Sequence, residues 1–263
     1  MLKKRLISVL ILRDGRVVQS VRFKHTNVIH YDPVHAMEAF NAWAVDEIII
    51  LNVSPDEQSR EQFAQTVANI STHCFIPVTA GGWITDESYA ERLLHSGADK
   101  IIVNSILHSD PGLVQRLSLR YGKQCIVASI DSRQTAESDS VVINRGRDDI
   151  QQHPVSWAQH AVTLGAGEIF YNSVNHDGAR RGYNLPVLQQ ICQHVPVPVI
   201  AFGGVFRWPH LIQGLDAGAA AVAVANQFHY TEHAARKAKK YLAEQGIPVR
   251  KEGQTAITAE KRL

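Results

Sequence analysis

Eight short apolar runs recur along the chain, and they constrain the fold more than any other feature of the sequence. Each run is rich in isoleucine and valine, and none alternates cleanly between apolar and polar residues. Each is therefore predicted to be a strand that is covered on both faces. The predicted strands are residues 6–12, 47–53, 75–80, 100–104, 125–130, 168–172, 197–202 and 220–225.

Patterns typical of amphipathic helices fill the intervals between these runs. An acidic residue followed by proline opens the first and fourth helices, and Thr85-Asp86-Glu87 is a capping sequence for the third. Strand and helix thus alternate eight times, which predicts parallel βαβ units and, in 263 residues, an α/β fold of the (βα)8 TIM-barrel type. The helices are expected at 33–43, 54–72, 85–97, from 111 onward, and near 154–164, 185–194, 208–217 and 231–245.

The sequence also repeats itself at a fixed spacing of 121 residues. Residues 96–108 align with 217–229, and residues 46–54 align with 167–175, both at this offset. Three matches in register, the third being 76–82 with 197–204 to within one residue, indicate two half-barrels of four βα units each. We predict a single barrel domain over residues 1–250, with halves of about 1–121 and 122–250. The polar tail, 251–263, is expected to be disordered.

Composition excludes several classes of partner. A net charge of +2, from 27 basic and 25 acidic side chains, gives no electrostatic case for nucleic acid or an anionic membrane. No apolar run approaches the roughly 20 residues that span a bilayer, and no cleavage site follows the first run, so a cytoplasmic location is predicted. Cys74, Cys125 and Cys192 are expected to be small buried side chains. The 13 histidines lack metal-ligand spacing, and neither a metal nor a cofactor is predicted.

Four loops are candidate phosphate-binding sites. Phosphates in this fold favour the loops after strands seven and eight, and glycine lets backbone N–H groups approach them. The repeat places matching loops in the first half, so two cradles on opposite sides of one mouth would suit a ligand with a phosphate at each end. Alternatively, the glycine pairs only turn strands into helices. The candidate residues are Gly81, Gly82, Asn104 and Ser105 in the first half and Gly203, Gly204, Ala225 and Asn226 in the second.

Three acidic residues lie at strand ends, where a barrel carries out its chemistry. Asp131 ends the fifth strand directly, so its carboxyl group is expected to point into the mouth, where burial could raise its pKa toward general acid–base use. A helix cap or a salt bridge to Arg133 is the alternative. Asp177 and Gly178 form either a turn or a ligand contact, and Asp14 is the weakest candidate.

Four charged residues begin strands at the opposite end of the barrel: Arg5, Glu47, Lys100 and Glu168. Charges at the amino ends of barrel strands usually serve stability, and a ring of salt bridges is the ordinary interpretation. Two acids and two bases converging on the barrel axis could also plug or gate it. The residues alone do not decide between these two roles.

From residue 2 to residue 250 the sequence resembles the cyclase subunit of imidazole glycerol phosphate synthase. In that family a glutaminase subunit docks under the barrel and delivers ammonia through it. The resemblance implies that Arg5, Glu47, Lys100 and Glu168 form an ammonia gate and that Asp99 lies near the docked glutaminase. The segments that carry it are 4–5, 14–18, 32–33, 46–47, 81–82, 97–100, 104, 165–168, 177–178, 203–204, 228–229 and 242–250.

The departures from the family lie at the other end of the barrel. The family's catalytic pair is one aspartate after strand one and one after strand five. Asp131 matches the second position, but Ile11 occupies the first, and isoleucine has no proton to give. Four further changes affect the substrate site. Gln19 replaces a lysine, Trp83 a third glycine, Asn226 a serine and Asn52 an aspartate.

A complete gate with one catalytic acid missing resembles divergent paralogues associated with the amidation of surface-polysaccharide sugars, as do segments 9–15 and 21–25. In these the barrel and its glutaminase are thought to supply ammonia to a third, ATP-using enzyme. We therefore predict an ammonia-conducting subunit with a phosphorylated small molecule or a nucleotide sugar as substrate. The alternatives are a genuine cyclase of histidine biosynthesis and a non-catalytic scaffold that binds a glutaminase.

Overall fold

Eight parallel strands close into a barrel in the computed structural model, which describes residues 3–42, 45–135, 138–229 and 233–250. Around the barrel their order is β1, β4, β5, β6, β7, β10, β11 and β12, and β12 pairs with β1 to close it. The strands are β1 (Arg5–Arg13), β2 (Arg16–Val21), β3 (His25–His30), β4 (Glu47–Asn52), β5 (Val78–Gly81), β6 (Lys100–Val103), β7 (Ile126–Gln134), β8 (Asp139–Ile143), β9 (Asp148–Asp149), β10 (Glu168–Ser173), β11 (Val199–Phe202) and β12 (Ala221–Val224).

Helices between the barrel strands cover its outer surface, as the predicted alternation requires, and the (βα)8 prediction is confirmed. Pro111 and Pro154 stand in the first turns of their helices, where the missing N–H costs no hydrogen bond. The helices are α1 (Pro33–Ala42), α2 (Ser59–His73), α3 (Glu87–His95), α4 (Ile106–Ser109), α5 (Pro111–Tyr121), α6 (Pro154–Thr163), α7 (Leu185–His194), α8 (Trp208–Asp216), α9 (Asn226–His229) and α10 (Ala234–Glu244).

The core has two layers, and the period-two alternation of the strands separates them. Along β1, Leu6, Leu10 and Leu12 belong to the large apolar layer between the sheet and the helices. Ile7, Val9 and Ile11 point the other way, into the barrel interior. Because both faces are apolar, the strand reads as a continuous hydrophobic run in the sequence, as predicted.

The spacing of the internal repeat reappears in the strand boundaries. Each barrel strand of the second half begins 121 residues after its counterpart in the first, the pairs being β1 and β7, β4 and β10, β5 and β11, and β6 and β12. Helices α1 and α6 begin with the same offset, as do α3 and α8. This regularity supports the proposal of two equivalent halves.

Two hairpins extend the barrel at its carboxyl-terminal mouth. After β1 the chain turns at Asp14 and Gly15, both with positive φ, and returns as β2, which pairs with β1 and β3. The other hairpin follows β7, which runs four residues beyond its predicted end and pairs with β8. The described residues between 133 and 146 form most of this second hairpin. Neither β2 nor β3 was predicted.

Several predicted boundaries are corrected. Phe75 lies outside β5 and is 70% exposed, and α2 begins at Ser59 rather than at residue 54. The short helices α4 and α9 were not predicted. The three cysteines are free and only half-buried. Trp43 and the tail 251–263 lie outside the described residues. Among the helices of the described residues, none combines the length and the apolar character needed to span a membrane.

Candidate functional site

The four charged residues at the amino ends of the strands form a closed ring. Arg5 on β1 hydrogen-bonds to Glu47 on β4 at 2.6 Å and also to Glu168 on β10. Lys100 on β6 reaches the same two carboxylates, at 3.3 Å from Glu47 and 3.0 Å from Glu168. Each cation therefore bridges both acids, and the ring spans the base of the barrel.

The electrostatics of this ring are balanced internally. Two positive and two negative charges sum to zero, and both glutamates are buried. Burial alone would lower the pKa of Arg5, but its hydrogen bond and charge interaction with Glu168, together with those of Glu47, raise it instead. Nearby Asp99 is exposed and its carboxylate accepts a hydrogen bond from the Val78 backbone N–H at 2.9 Å. The ring thus has the composition of a closed plug across the barrel axis.

Above the ring, most of the side chains that face the barrel interior are apolar, with Thr79 and Ser129 as buried polar residues among them. Ile7, Ile49 and Val127 belong to this inner cluster, and the rings of Phe170 and Phe202 pack against each other with centroids 4.9 Å apart. A small neutral molecule loses little by entering such surroundings, whereas an ion is strongly disfavoured. The apolar part of the interior therefore disfavours ions more strongly than small neutral molecules.

Asp131 lies where the sequence predicted it, at the mouth on β7, and its partners are two asparagines. Asn104 donates to one carboxylate oxygen and Asn172 to the other, each at 3.1 Å. Burial raises the pKa of Asp131 to about 7, against a smaller lowering by the Asn172 hydrogen bond. The alternative partner, Arg133, donates instead to the carbonyl of Gly146. A carboxyl group with this pKa can take up or release a proton near neutral pH.

Asn172, the second-last residue of the sixth barrel strand, β10, was not predicted as a site residue. Its side chain is 2% exposed, and its Oδ1 atom has no hydrogen-bond partner among the described residues. The same oxygen would lie 2.5 Å from a Cβ atom built on Gly203. Asn172 therefore joins Asp131 to the loop after β11. A polar residue at a strand end, in an otherwise apolar run, was the available sign.

Ile11 faces Asp131 across the mouth, because β1 and β7 are four strands apart in an eight-stranded ring. Its side chain is 4% exposed and lies in the inner apolar cluster, in register with Leu51 of β4. The mouth is therefore polar on the side of Asp131 and apolar on the side of Ile11. The isoleucine therefore provides no proton-transfer group opposite Asp131.

The predicted phosphate loops of the second half line an open cavity of about 210 Å³. Gly204 has a φ of +92°, and a Cβ there would lie 2.2 Å from the Gly182 carbonyl, so only glycine fits. The rim carries Arg180, whose guanidinium lies 4.9 Å from the centre of the Phe206 ring. Arg180 was not predicted. The lining includes Gln19, Asp177, Gly178, Arg180, Phe202, Gly203, Gly204, Ala225 and Asn226.

Asp177 and Gly178 make both a turn and part of this cavity wall. The Asp177 carboxylate accepts hydrogen bonds from the Ser20 hydroxyl at 2.6 Å and from the Phe23 N–H at 3.4 Å, which attaches the β2–β3 hairpin to the second half. Burial raises the pKa of Asp177, while these hydrogen bonds oppose the rise. Asn226, which follows β12, donates weakly to the Ser20 carbonyl at 3.5 Å.

The corresponding loops of the first half are covered by the chain itself. Gly82 has a φ of +118°, and Trp83 follows it in the left-handed region at +58°. The Trp83 indole N–H donates to the Ser54 carbonyl at 2.9 Å, and the Arg145 guanidinium lies 5.2 Å from the centre of a Trp83 ring. Arg145 also donates to the Ser54 carbonyl, at 3.0 Å. The tryptophan thus occupies the loop in which the resemblance to the cyclase family predicts a third glycine.

Two other first-half candidates are engaged within the protein. The Ser105 hydroxyl accepts the backbone N–H of Asn144, in the turn after β8, at 3.1 Å. Asn52 donates to Ser59 at 3.0 Å and accepts from the Ser54 N–H at 3.0 Å, so it organises the loop after β4. Within the described residues, no group of three or more histidine, cysteine, aspartate or glutamate side chains could hold a metal ion.

Comparison with known proteins adds two findings. The sequence profile of a family described as histidine biosynthesis protein matches residues 5–234. The chain is also 36% identical over 250 residues to imidazole glycerol phosphate synthase subunit HisF of Exiguobacterium sibiricum, an alignment that covers 95% of this chain and 100% of that protein.

Proposed function

Since this chain belongs to the histidine biosynthesis protein family, we propose that it is the barrel subunit of a glutamine-dependent amidotransferase. Ammonia enters at the ring of Arg5, Glu47, Lys100 and Glu168 and passes through the apolar interior. It emerges at the mouth beside Asp131. The acceptor that it meets there is not the bis-phosphorylated intermediate of histidine biosynthesis.

One observation supports this proposal most strongly. All four residues of the ring are present, whereas at the mouth the residue opposite Asp131 is Ile11, which has no ionisable group. All four ring side chains are present and mutually paired. The cyclase family that the sequence resembles uses a pair of aspartates, and a missing general acid or base costs typically a factor of about 10²–10⁴ in rate. The combination of a complete ring with no aspartate at position 11 suits a barrel that delivers ammonia to a different acceptor.

The proposed partner is a glutaminase, because no glutamine-hydrolysing motif is visible in this sequence. It would dock at the amino-terminal face, where the ring lies and where Asp99 and the 70% exposed Phe75 reach the surface. An ATP-using enzyme would activate the oxygen that ammonia displaces. We propose an acetamidino sugar of a surface polysaccharide as the product, on the resemblance of segments 9–15 and 21–25 to proteins of that kind.

A genuine cyclase is the second candidate, and two observations favour it. Asp131 has a pKa near 7 and two amide donors, as a proton-transfer group requires. The identity to HisF extends over that protein's whole length. A cyclase would then work with Asp131 alone. A scaffold that only binds a glutaminase is the third candidate, and it would not need Asp131.

Turnover of the bis-phosphorylated histidine-pathway intermediate with ammonium tests the proposal without a glutaminase. We expect the purified protein to show no cyclisation above that of the Asp131→Asn variant. Cyclisation at a rate that this variant abolishes would establish the second candidate instead. Within the complex, Asp131→Asn should abolish amidation if the first candidate is right and leave it unchanged if the barrel is a scaffold.

A further inference from the structure

We infer that this barrel holds its acceptor by a single anionic group, bound in the second half, because Trp83 and Arg145 fill the first-half cradle. The inference rests on the proposed function, since it takes the mouth as the acceptor site. It names the substrate class: a small polar molecule with one phosphate-bearing end. In a ligand with phosphates at both ends, the second phosphate finds no binding site.

The first-half cradle is filled by a side chain that does not move away without losing fixed contacts. Trp83 directly follows Gly82 and is half-buried, and its indole N–H is committed to the carbonyl of Ser54. Ser54 is itself 2% exposed and lies in the loop after β4. The indole therefore ties the loop after β5 to the loop after β4, across the space in which backbone N–H groups would meet a phosphate.

The hairpin after β7 holds this arrangement from above. Arg145, in its turn, donates to the same Ser54 carbonyl and lies over Trp83. The adjacent Asn144 N–H binds Ser105, the residue that opens the fourth loop of the first half. The Arg145 guanidinium thus already contacts the Ser54 carbonyl and the Trp83 ring, and the Ser105 hydroxyl already accepts a hydrogen bond from the hairpin.

The second half is built differently at the matching loops. Gly203 and Gly204 open onto the cavity, and the residue after them is Val205, not an aromatic residue. Arg180 lies at its rim, exposed, with the ring of Phe206 as its contact. Gln19, where the family has a lysine, leaves Arg180 as the basic side chain among the residues that line the cavity. A phosphate here would take its charge partner from Arg180.

The residues between the cavity and Asp131 restrict which functional groups the rest of the ligand can carry. From the cavity, the ligand would pass the unpartnered Oδ1 atom of Asn172 and reach Asp131. Asn172 needs a hydrogen-bond donor there, such as a hydroxyl or an amide N–H, because a buried acceptor without one is costly. Sugar hydroxyls satisfy this requirement, and a second phosphate, which only accepts, does not.

Crystals soaked in inorganic phosphate test the inference directly. We expect one phosphate in the cavity beside Gly203 and Gly204 and none beside Gly82. Trp83→Gly should admit a second phosphate, since it removes the indole and suits the positive φ at this position. A phosphate beside Gly82 in the wild-type protein would overturn the inference, as would an empty second-half cavity with the first half occupied.

Titration of ribose 5-phosphate and fructose 1,6-bisphosphate provides the solution measurement. Wild-type protein should bind the two within about threefold, because only one phosphate finds a site. Arg180→Ala should weaken both about tenfold or more, an amount typical of a charge-assisted hydrogen bond. The matched control is Arg147→Ala, an exposed arginine of the β8–β9 turn that contacts the Asn144 carbonyl, which should change neither. Preference for the bisphosphate by tenfold or more would contradict the inference.

Failure of the single-anion inference can be distinguished from failure of the proposed function. If the protein cyclises the bis-phosphorylated intermediate but phosphate occupies only the second half, the proposed function fails and the single-anion site stands. If both cradles bind phosphate in a protein without cyclase activity, the single-anion inference fails and ammonia transfer stands.

Discussion

The two ends of this barrel differ in what completes them. At the amino-terminal end, four charges satisfy one another. At the mouth, Ile11 stands opposite Asp131, and Trp83 covers the loop of one half. The ring needs no ligand to be complete, whereas the mouth must match whatever molecule it receives. A change of acceptor can therefore alter the mouth and leave the ring as it is.

Loss of one ring carboxylate should have the largest effect on stability. Glu168→Gln keeps the shape but leaves Arg5 and Lys100 with one anion between them, so we expect a loss of about 3–5 kcal/mol of unfolding free energy. Urea denaturation at pH 7 measures it. Unchanged stability would mean that the ring charges are fully solvated and that the ring is no plug.

Asp131 should make the stability of the folded protein depend on pH. Its folded pKa of about 7 lies above the usual 3.8, so the folded state binds the extra proton between these values. The contribution of this proton to the unfolding free energy is therefore fully present below about pH 4 and is lost as the pH rises toward 7. The Asp131→Asn variant lacks this fall.

The difference in unfolding free energy between Asp131→Asn and wild type should grow by up to about 4 kcal/mol from pH 4 to pH 8. Denaturation of both proteins across this range provides the measurement. A constant difference would show that Asp131 ionises normally and is poorly suited to exchange protons at the mouth.

A smaller effect should follow from removing Asn172. Its amide stabilises the charged form of Asp131, so Asn172→Ala should raise the pKa of Asp131 above 7, by on the order of one unit. Carbon-13 NMR of the labelled carboxyl group follows this titration. Asn184→Ala, which removes a donor to Asp139 instead, is the control and should leave the Asp131 titration in place.

The smallest effect should come from an exposed ion pair, which isolates burial as the cause of the ring's contribution. Lys240 and Glu244 lie 3.9 Å apart on α10, one turn apart and mostly exposed. Glu244→Gln should cost no more than about 0.5 kcal/mol. A loss comparable to that of Glu168→Gln would indicate that removing a charge, and not breaking the buried ring, lowers stability.

The sequence predicted well what depends on local pattern. Apolar runs and the 121-residue repeat predicted the barrel, and the ring followed because residues that begin neighbouring strands must meet at one end. Asp86 and Asp110 were predicted at helix starts, and each caps its helix by accepting a backbone N–H. Phe75, an aromatic residue beside an apolar run, was wrongly assigned to a strand because its exposure depends on where the preceding helix ends.

What could not be predicted depends on contacts between distant segments. The position of Arg145 over Trp83 is set by hydrogen bonds from residues 144 and 145 to Ser105 and Ser54, which lie 39 and 91 residues away. Asn172 contacts Asp131 across 41 residues, and no local periodicity marks it. Nor did the pattern of β2 and β3 stand out, since β3 is largely exposed and mixed in composition.

Restoring the missing acid tests most directly whether the mouth alone separates this protein from a cyclase. In a Trp83→Gly background, Ile11→Asp should bring cyclisation of the bis-phosphorylated intermediate with ammonium to about 10²-fold or more above the rate without protein, while Ile11→Asn should not. The wild-type protein should show none. Wild-type cyclisation that Ile11→Asp leaves unchanged would contradict the claim that this barrel passes ammonia to a different acceptor.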